Sequence, residues 1–199
     1  AGTGKTFIAM YAARTDALAD QSVLFVTRSQ FLASFLRSGL RIPEKLSILP
    51  FSSLDDMKIR EEYDVLVIDE GQDLTQIESI DKLDGILKGG VEKGRWRWFG
   101  DPNYQVSPSF PFEEDAFNYL LSYSPTSWKL RNNIRNTPEI VNSIRLHTKI
   151  HLEDPDPIGL GGTVKVLTVN PDAEEEVLIE KLRELLQASS LVSRDEICL

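Results

Sequence analysis

Apolar residues fall into two alternating patterns along the chain. Residues 22–27 (SVLFVT) and 65–68 (VLVI) are apolar at nearly every position, as strands buried on both faces of a parallel sheet are. Between such runs the spacing is helical. Residues 7–19 (FIAMYAARTDALA) place apolar side chains at helical intervals, and residues 30–36 form a short helix closed off by Gly39 and Pro43. A third strand is expected over residues 46–51, followed by a polar, acidic connection over residues 52–62. Ile77, Ile80, Leu83, Ile86 and Leu87 mark an amphipathic helix over residues 75–87, ended by Gly89 and Gly90. Residues 95–99 (RWRWF) read as a strand that turns at Gly100, Asp101 and Pro102. A helix over residues 113–121, a strand over 128–130 and a helix opening at Asn136, Thr137, Pro138 and Glu139 and running to about His147 complete this part. The alternation predicts an α/β fold with a central parallel sheet flanked by helices.

Residues 151–162 (HLEDPDPIGLGG) carry no period and concentrate Pro, Gly and acids, which predicts a linker. A strand over 163–169, a helix over 173–187 and the start of a strand over 196–199 come after it. The expected division is therefore a first domain over residues 1–150, a linker over 151–162 and the beginning of a second domain over 163–199. A length of 199 residues with 41% hydrophobic content suits one domain and the start of another. The net charge of -9 argues against coating nucleic acid by bulk electrostatics and leaves open a local basic groove. Cys198 has no second cysteine to pair with, and no apolar run approaches membrane-spanning length, so a reducing, cytoplasmic setting without a membrane partner is expected.

Chemistry is concentrated at two places. Residues 65–73 (VLVIDEGQD) run from a buried strand into acids, and the carboxyl end of such a strand is where a carboxylate can hold Mg²⁺ and a neighbour can orient water against a γ-phosphate. Asp69 is the metal candidate and Glu70 the base candidate. Residues 1–6 (AGTGKT) match the last six positions of the phosphate loop G-x-x-x-x-G-K-[ST], and the chain reads as a fragment whose loop begins upstream. Gly2, Thr3, Gly4, Lys5 and Thr6 then form the nucleotide-binding stretch. Backbone N–H groups around the glycines cradle phosphates, Lys5 reaches the β and γ groups, and Thr6 offers Mg²⁺ a hydroxyl. ATP and Mg²⁺ are the implied cofactors. Trp96 and Trp98 alternate with Arg95 and Arg97, a pattern open to an aromatic nucleic-acid platform or, more simply, to a half-buried strand.

Four motifs in order give the chain a resemblance to the UvrD/Rep-like superfamily 1 helicases. AGTGKT matches the end of motif I, and DEGQD at residues 69–73 matches motif II. FGDPNYQ at 99–105 is similar to motif III, and LRNNIRNTPEIV at 130–141 to motif IV. The resemblance implies a RecA-like P-loop domain over residues 1–150 and the start of a second RecA-like domain. It also implies that Gln72 sits near the γ-phosphate and couples hydrolysis to movement, that Gln105 is the motif III sensor, and that Arg135 places a cation on the γ-phosphate. Gln105 stands one position later than the family pattern, and Ile134 replaces its tyrosine. The implied function is ATP hydrolysis coupled to translocation on, or unwinding of, nucleic acid, with single-stranded DNA as partner. The alternative is an ATP-driven conformational switch that gates an attached nuclease, effector domain or protein partner without translocation.

Overall fold

In the computed structural model, the residues described are 2–56, 62–101, 111–148, 154–155, 172 and 174–188. β1 (Val23–Thr27) and β3 (Val65–Asp69) are buried at every position, which the unbroken apolar runs demand. Each strand has neighbours on both sides. β2 (Leu46–Pro50) and β3 pair with β1, β4 (Arg95–Trp98) pairs with β3, and all three pairings are parallel, giving a four-stranded sheet in the order β2-β1-β3-β4. The register sets Thr27 opposite Pro50 on one side and Asp69 on the other, so the carboxyl ends of the strands lie level.

Alternate residues serve opposite faces of the sheet. Val23, Phe25, Val65, Val67, Leu46 and Ile48 pack beneath α1 (Lys5–Leu18) and α2 (Gln30–Gly39), which contribute Ala9, Met10, Ala13, Ala17, Ala33 and Leu36. Small side chains on α1 let it lie close to the sheet. Leu24, Val26, Leu66 and Ile68 face the other way, toward Leu74, Leu83 and Leu87 and toward a 3₁₀ turn, Phe51–Asp56, that buries Phe51 and Leu54. On that side, α3 (Ile77–Asp84), the one-turn α4 (Gly90–Lys93) and α5 (Glu114–Ser122) build a smaller cluster from Ile80, Val91, Ala116 and Leu120, against which Trp96 and Trp98 pack.

The β4 alternation is thereby resolved in favour of packing. Trp96 and Trp98 face the core, and Trp96 donates its ring N–H to the Val91 carbonyl at 2.9 Å. Arg95 and Arg97 point to the other face, where both reach the carboxylate of buried Asp16 on α1, Arg95 at 2.7 Å. Elsewhere local pattern and structure differ. The helix expected over residues 75–87 stops at Asp84, because Ile86 and Lys88 turn back to bond the backbone of Tyr63. Residues 128–130 form no strand, and Trp128 is 88% exposed, with no strand among the described residues to cover it. The strand nearby is β5 (Asn132–Asn133), paired in parallel with β6 (Asp154–Pro155), which lies in the expected linker. α6 (Pro138–Thr148) starts where its cap sequence places it.

The chain divides into two compact units, Ala1–Gly162 and Thr163–Leu199. In the second, α7 (Glu174–Ala188) exposes Leu178 and Ile179 and ties Lys181 to Glu184 one turn on at 2.7 Å. The strands expected over 163–169 and 196–199 lie outside the described residues. Among the described residues no helix is long and apolar enough to cross a membrane.

Candidate functional site

At the amino end of α1 the chain takes two left-handed steps, at Gly2 (φ 81°) and Gly4 (φ 83°), which glycine adopts without the clash a Cβ would bring. Gly4 caps the helix, and its carbonyl accepts the first helical bond, from Ile8 N–H at 3.1 Å. This winding aims backbone N–H groups and the positive end of the helix at one spot. The Gly2 carbonyl faces elsewhere and accepts N–H groups from Ile134 (2.9 Å) and Arg135 (3.1 Å), fastening the turn before α6 onto the loop. Asn133, 0% exposed, shapes that turn: its Oδ1 accepts from Arg135 N–H, Asn136 N–H and Asn136 Nδ2. A Cβ on Gly2 would come within 2.5 Å of Asn133 Oδ1, so glycine is what permits the docking.

The acids approach the same spot from the sheet. Asp69 ends β3 fully buried, and neither of its oxygens has a hydrogen-bond partner. Burial pushes its pKa up. The nearby Thr6 hydroxyl and Glu70 N–H, which fall short of good bond geometry, and the Lys5 charge oppose that rise, while the Glu70 charge adds to it. Thr27, opposite Asp69 in the register, likewise has a buried hydroxyl without a partner. Glu70 takes a left-handed conformation (φ 52°), unusual for a residue with a Cβ, which turns its side chain out of the strand direction. Gln72 sits behind it, 3% exposed, donating from Nε2 to Glu70 Oε2 at 2.9 Å and accepting at Oε1 from the backbone N–H of Asp101 at 3.0 Å. Asp73, the last acid of the cluster, lies between the Glu70 and Arg28 charges. Burial and the Glu70 charge raise its pKa and Arg28 lowers it, the Arg28 guanidinium itself lying 5.5 Å from the Phe51 ring centroid.

Lys5 Nζ lies 3.9 Å from Asp101 Oδ2, just beyond the carboxyl end of β4. Gly2, Thr3, Gly4, Lys5, Thr6, Glu70 and Arg135 together line one polar cleft with a free volume of about 10 Å³, room for roughly one water. Beside it opens an apolar cavity of about 400 Å³, lined by Phe7, Met10, Leu36, Leu40 and Ile134 and sharing Gly2, Gly4, Thr6 and Arg135 with the cleft. That volume lies in the range of small-molecule sites.

Residues from the loop, the β3 end and the turn before α6 therefore converge. Lys5, Thr6, Glu70 and Arg135 share the cleft, Asp69 stands next to Thr6, and Gln72 lies one layer behind Glu70. Gln105 falls outside the described residues. Two polar side chains that had been assigned no individual role join the site, Asn133 and Asp101. Asp101 stands in the turn at the carboxyl end of β4, where ligand residues are expected, and Asn133 stands two residues before Arg135 in the motif IV-like stretch. Two buried, unpartnered carboxylate oxygens next to a hydroxyl fit a hard cation such as Mg²⁺. Among the described residues no three His, Cys, Asp or Glu side chains gather as a metal cluster, and Mg²⁺ characteristically takes one or two carboxylates with water and phosphate oxygens. Comparison of the chain with protein-family models, curated proteins and solved structures found no match.

Proposed function

We propose that this chain is the ATP-binding part of a RecA-like, superfamily 1 helicase-type ATPase, which hydrolyses Mg-ATP and couples hydrolysis to movement on single-stranded DNA. The observation that carries the reading is the orphaned Asp69 carboxylate, buried beside Thr6 at a cleft where Lys5, Glu70 and Arg135 meet. A buried carboxylate without partners destabilises a fold unless a ligand uses it. A parallel sheet with its ligand residues at the carboxyl strand ends supports the same reading.

In this scheme the loop N–H groups and the α1 dipole hold the phosphates, and Lys5 balances charge on the β and γ groups. Thr6 and Asp69 are the side chains that would hold Mg²⁺, which would supply positive charge against the phosphate groups. Glu70 orients a water at its carboxylate and accepts the proton as that water attacks the γ-phosphorus and the bond to the bridging oxygen breaks, releasing ADP and phosphate. Arg135, aimed by the Asn133 turn, stabilises charge on the transferring phosphoryl oxygens. The adenine ring occupies the apolar cavity, whose lining includes exposed Phe7 and Ile134.

The test is Mg-ATP binding and phosphate release, with and without single-stranded DNA, by the chain and by its Glu70→Gln variant. Glu70→Gln is expected to bind Mg-ATP and lose hydrolysis by about 10²-fold or more. Absence of Mg-ATP binding refutes the reading, and hydrolysis that ignores DNA and RNA alike moves it to the ATP-driven switch.

A further inference from the structure

We propose that Thr27 is a positioning residue of the cation site, whose hydroxyl donates to the Asp69 carboxylate and fixes the orientation in which Asp69 receives Mg²⁺. The inference rests on the ATPase reading and adds to it a residue from β1. That strand is apolar at its first four positions and buried at all five, and its last residue, Thr27, is 0% exposed with a hydroxyl that has no partner. A valine would fill the same space without leaving a buried polar group unpaired. The hydroxyl is therefore a cost unless something uses it.

The register shows what can use it. Val23, Phe25 and Thr27 on β1 and Val65, Val67 and Asp69 on β3 alternate onto the sheet face that α1 covers, and Thr27 stands directly opposite Asp69. Neighbouring strands run about 4.8 Å apart, so a hydroxyl and a carboxylate level with each other on one face come within reach by side-chain rotation. On its other flank Thr27 faces Pro50, whose ring offers neither donor nor acceptor. Asp69 is 0% exposed, and both of its oxygens lack a partner. A carboxylate has roughly four lone-pair sites, so a cation held through one oxygen leaves the rest to be met by donors in the same buried place. Carboxylates that ligate metals are themselves held by hydrogen bonds, and such partners tune the affinity of the site. Thr27 supplies that bond without adding a charge that would compete with the cation. Its β-branched side chain also has few rotamers to lose.

Thr27→Val tests this, because it keeps the shape and removes the hydroxyl, while Thr27→Ser keeps the hydroxyl and removes the methyl. ATP binding is titrated against free Mg²⁺ and, separately, measured in EDTA. In Thr27→Val the half-saturating Mg²⁺ concentration is expected to rise about tenfold, with ATP affinity in EDTA within about twofold of the parent; Thr27→Ser is expected to stay within about threefold in both. Without ligand, Thr27→Val is expected to unfold in urea at the parental midpoint or above it, since an unpaired buried hydroxyl has been removed. A folded Thr27→Val protein with the parental Mg²⁺ dependence overturns the proposal and leaves the ATPase reading standing. So does a loss that appears equally in EDTA, or one that Thr27→Ser shares in full. A parent that binds no Mg-ATP overturns both.

Discussion

Gly71 lies between the candidate base Glu70 and Gln72, and no side chain fits there. A Cβ built on it would stand 2.1 Å from Trp98 Nε1, 2.5 Å from Cε2 and 2.6 Å from Cδ1, where ordinary contact begins at 3.4 Å. The obstacle is a rigid ring packed against two parts of the core, so it cannot swing aside as a lysine tip would. The Gly71 backbone is also pinned, donating its N–H to the Phe99 carbonyl at 2.8 Å. Gly71→Ala must therefore displace ring or backbone by more than an ångström. Overpacking of this kind costs about 1–3 kcal/mol, and at this chain length each kcal/mol lowers Tm by about 2–4 °C, so a loss of roughly 2–12 °C is expected. Gly39→Ala is the matched control. It ends α2 with open space around it, and there alanine is expected to stabilise by about 0.4–1 kcal/mol. Thermal unfolding followed by far-ultraviolet circular dichroism reads both. Trp98→Phe removes the nearest atom of the clash, so the double variant should regain about 1 kcal/mol relative to the sum of the single changes. A Gly71→Ala protein that melts with the parent, or a cycle without coupling, would refute the steric argument.

Three further outcomes are expected from the site and its surroundings. Asn133→Ala removes the side-chain acceptor of the half-buried Asn136 N–H and one of the two acceptors of Arg135 N–H, which should cost about 1 kcal/mol in urea unfolding and weaken Mg-ATP binding by loosening Arg135. Asp69→Asn is expected to raise stability by about 1 kcal/mol in the absence of Mg²⁺ by removing a buried, unpartnered charge, while abolishing Mg²⁺-dependent nucleotide binding. Asp64 is held well below the usual carboxylate range, first by the Lys88 ammonium and then by the Ser22 backbone N–H and hydroxyl. Its folded value is depressed, so its contribution is complete above the unfolded value of about 4 and is lost as pH falls through the folded value; Asp64→Asn should flatten that acid limb of urea stability against pH.

β1 and β3 could be read from their composition because a strand buried on both faces has no polar position to hide, and α1, α2, α5 and α6 because their caps and spacing are local. The glycine-rich run before α1 and the acids after β3 were equally plain, since each is a contiguous run. Local pattern failed where a distant segment decided the outcome. α3 ends early because Tyr63 captures the backbone beyond it, and residues 128–130 stay irregular because no strand among the described residues lies beside them. β4 carried two readings until Asp16, far away on α1, took both arginines. The site divides in the same way. Sequence alone determined which groups are candidates for phosphate, metal and proton chemistry, for those are properties of residue type and near spacing. Tertiary structure decided that Asn133 docks on Gly2, that Asp101 faces Lys5 and that Gln72 bridges Asp101 to Glu70, because hydrogen bonds and ion pairs depend on positions in space that only the packed sheet brings together.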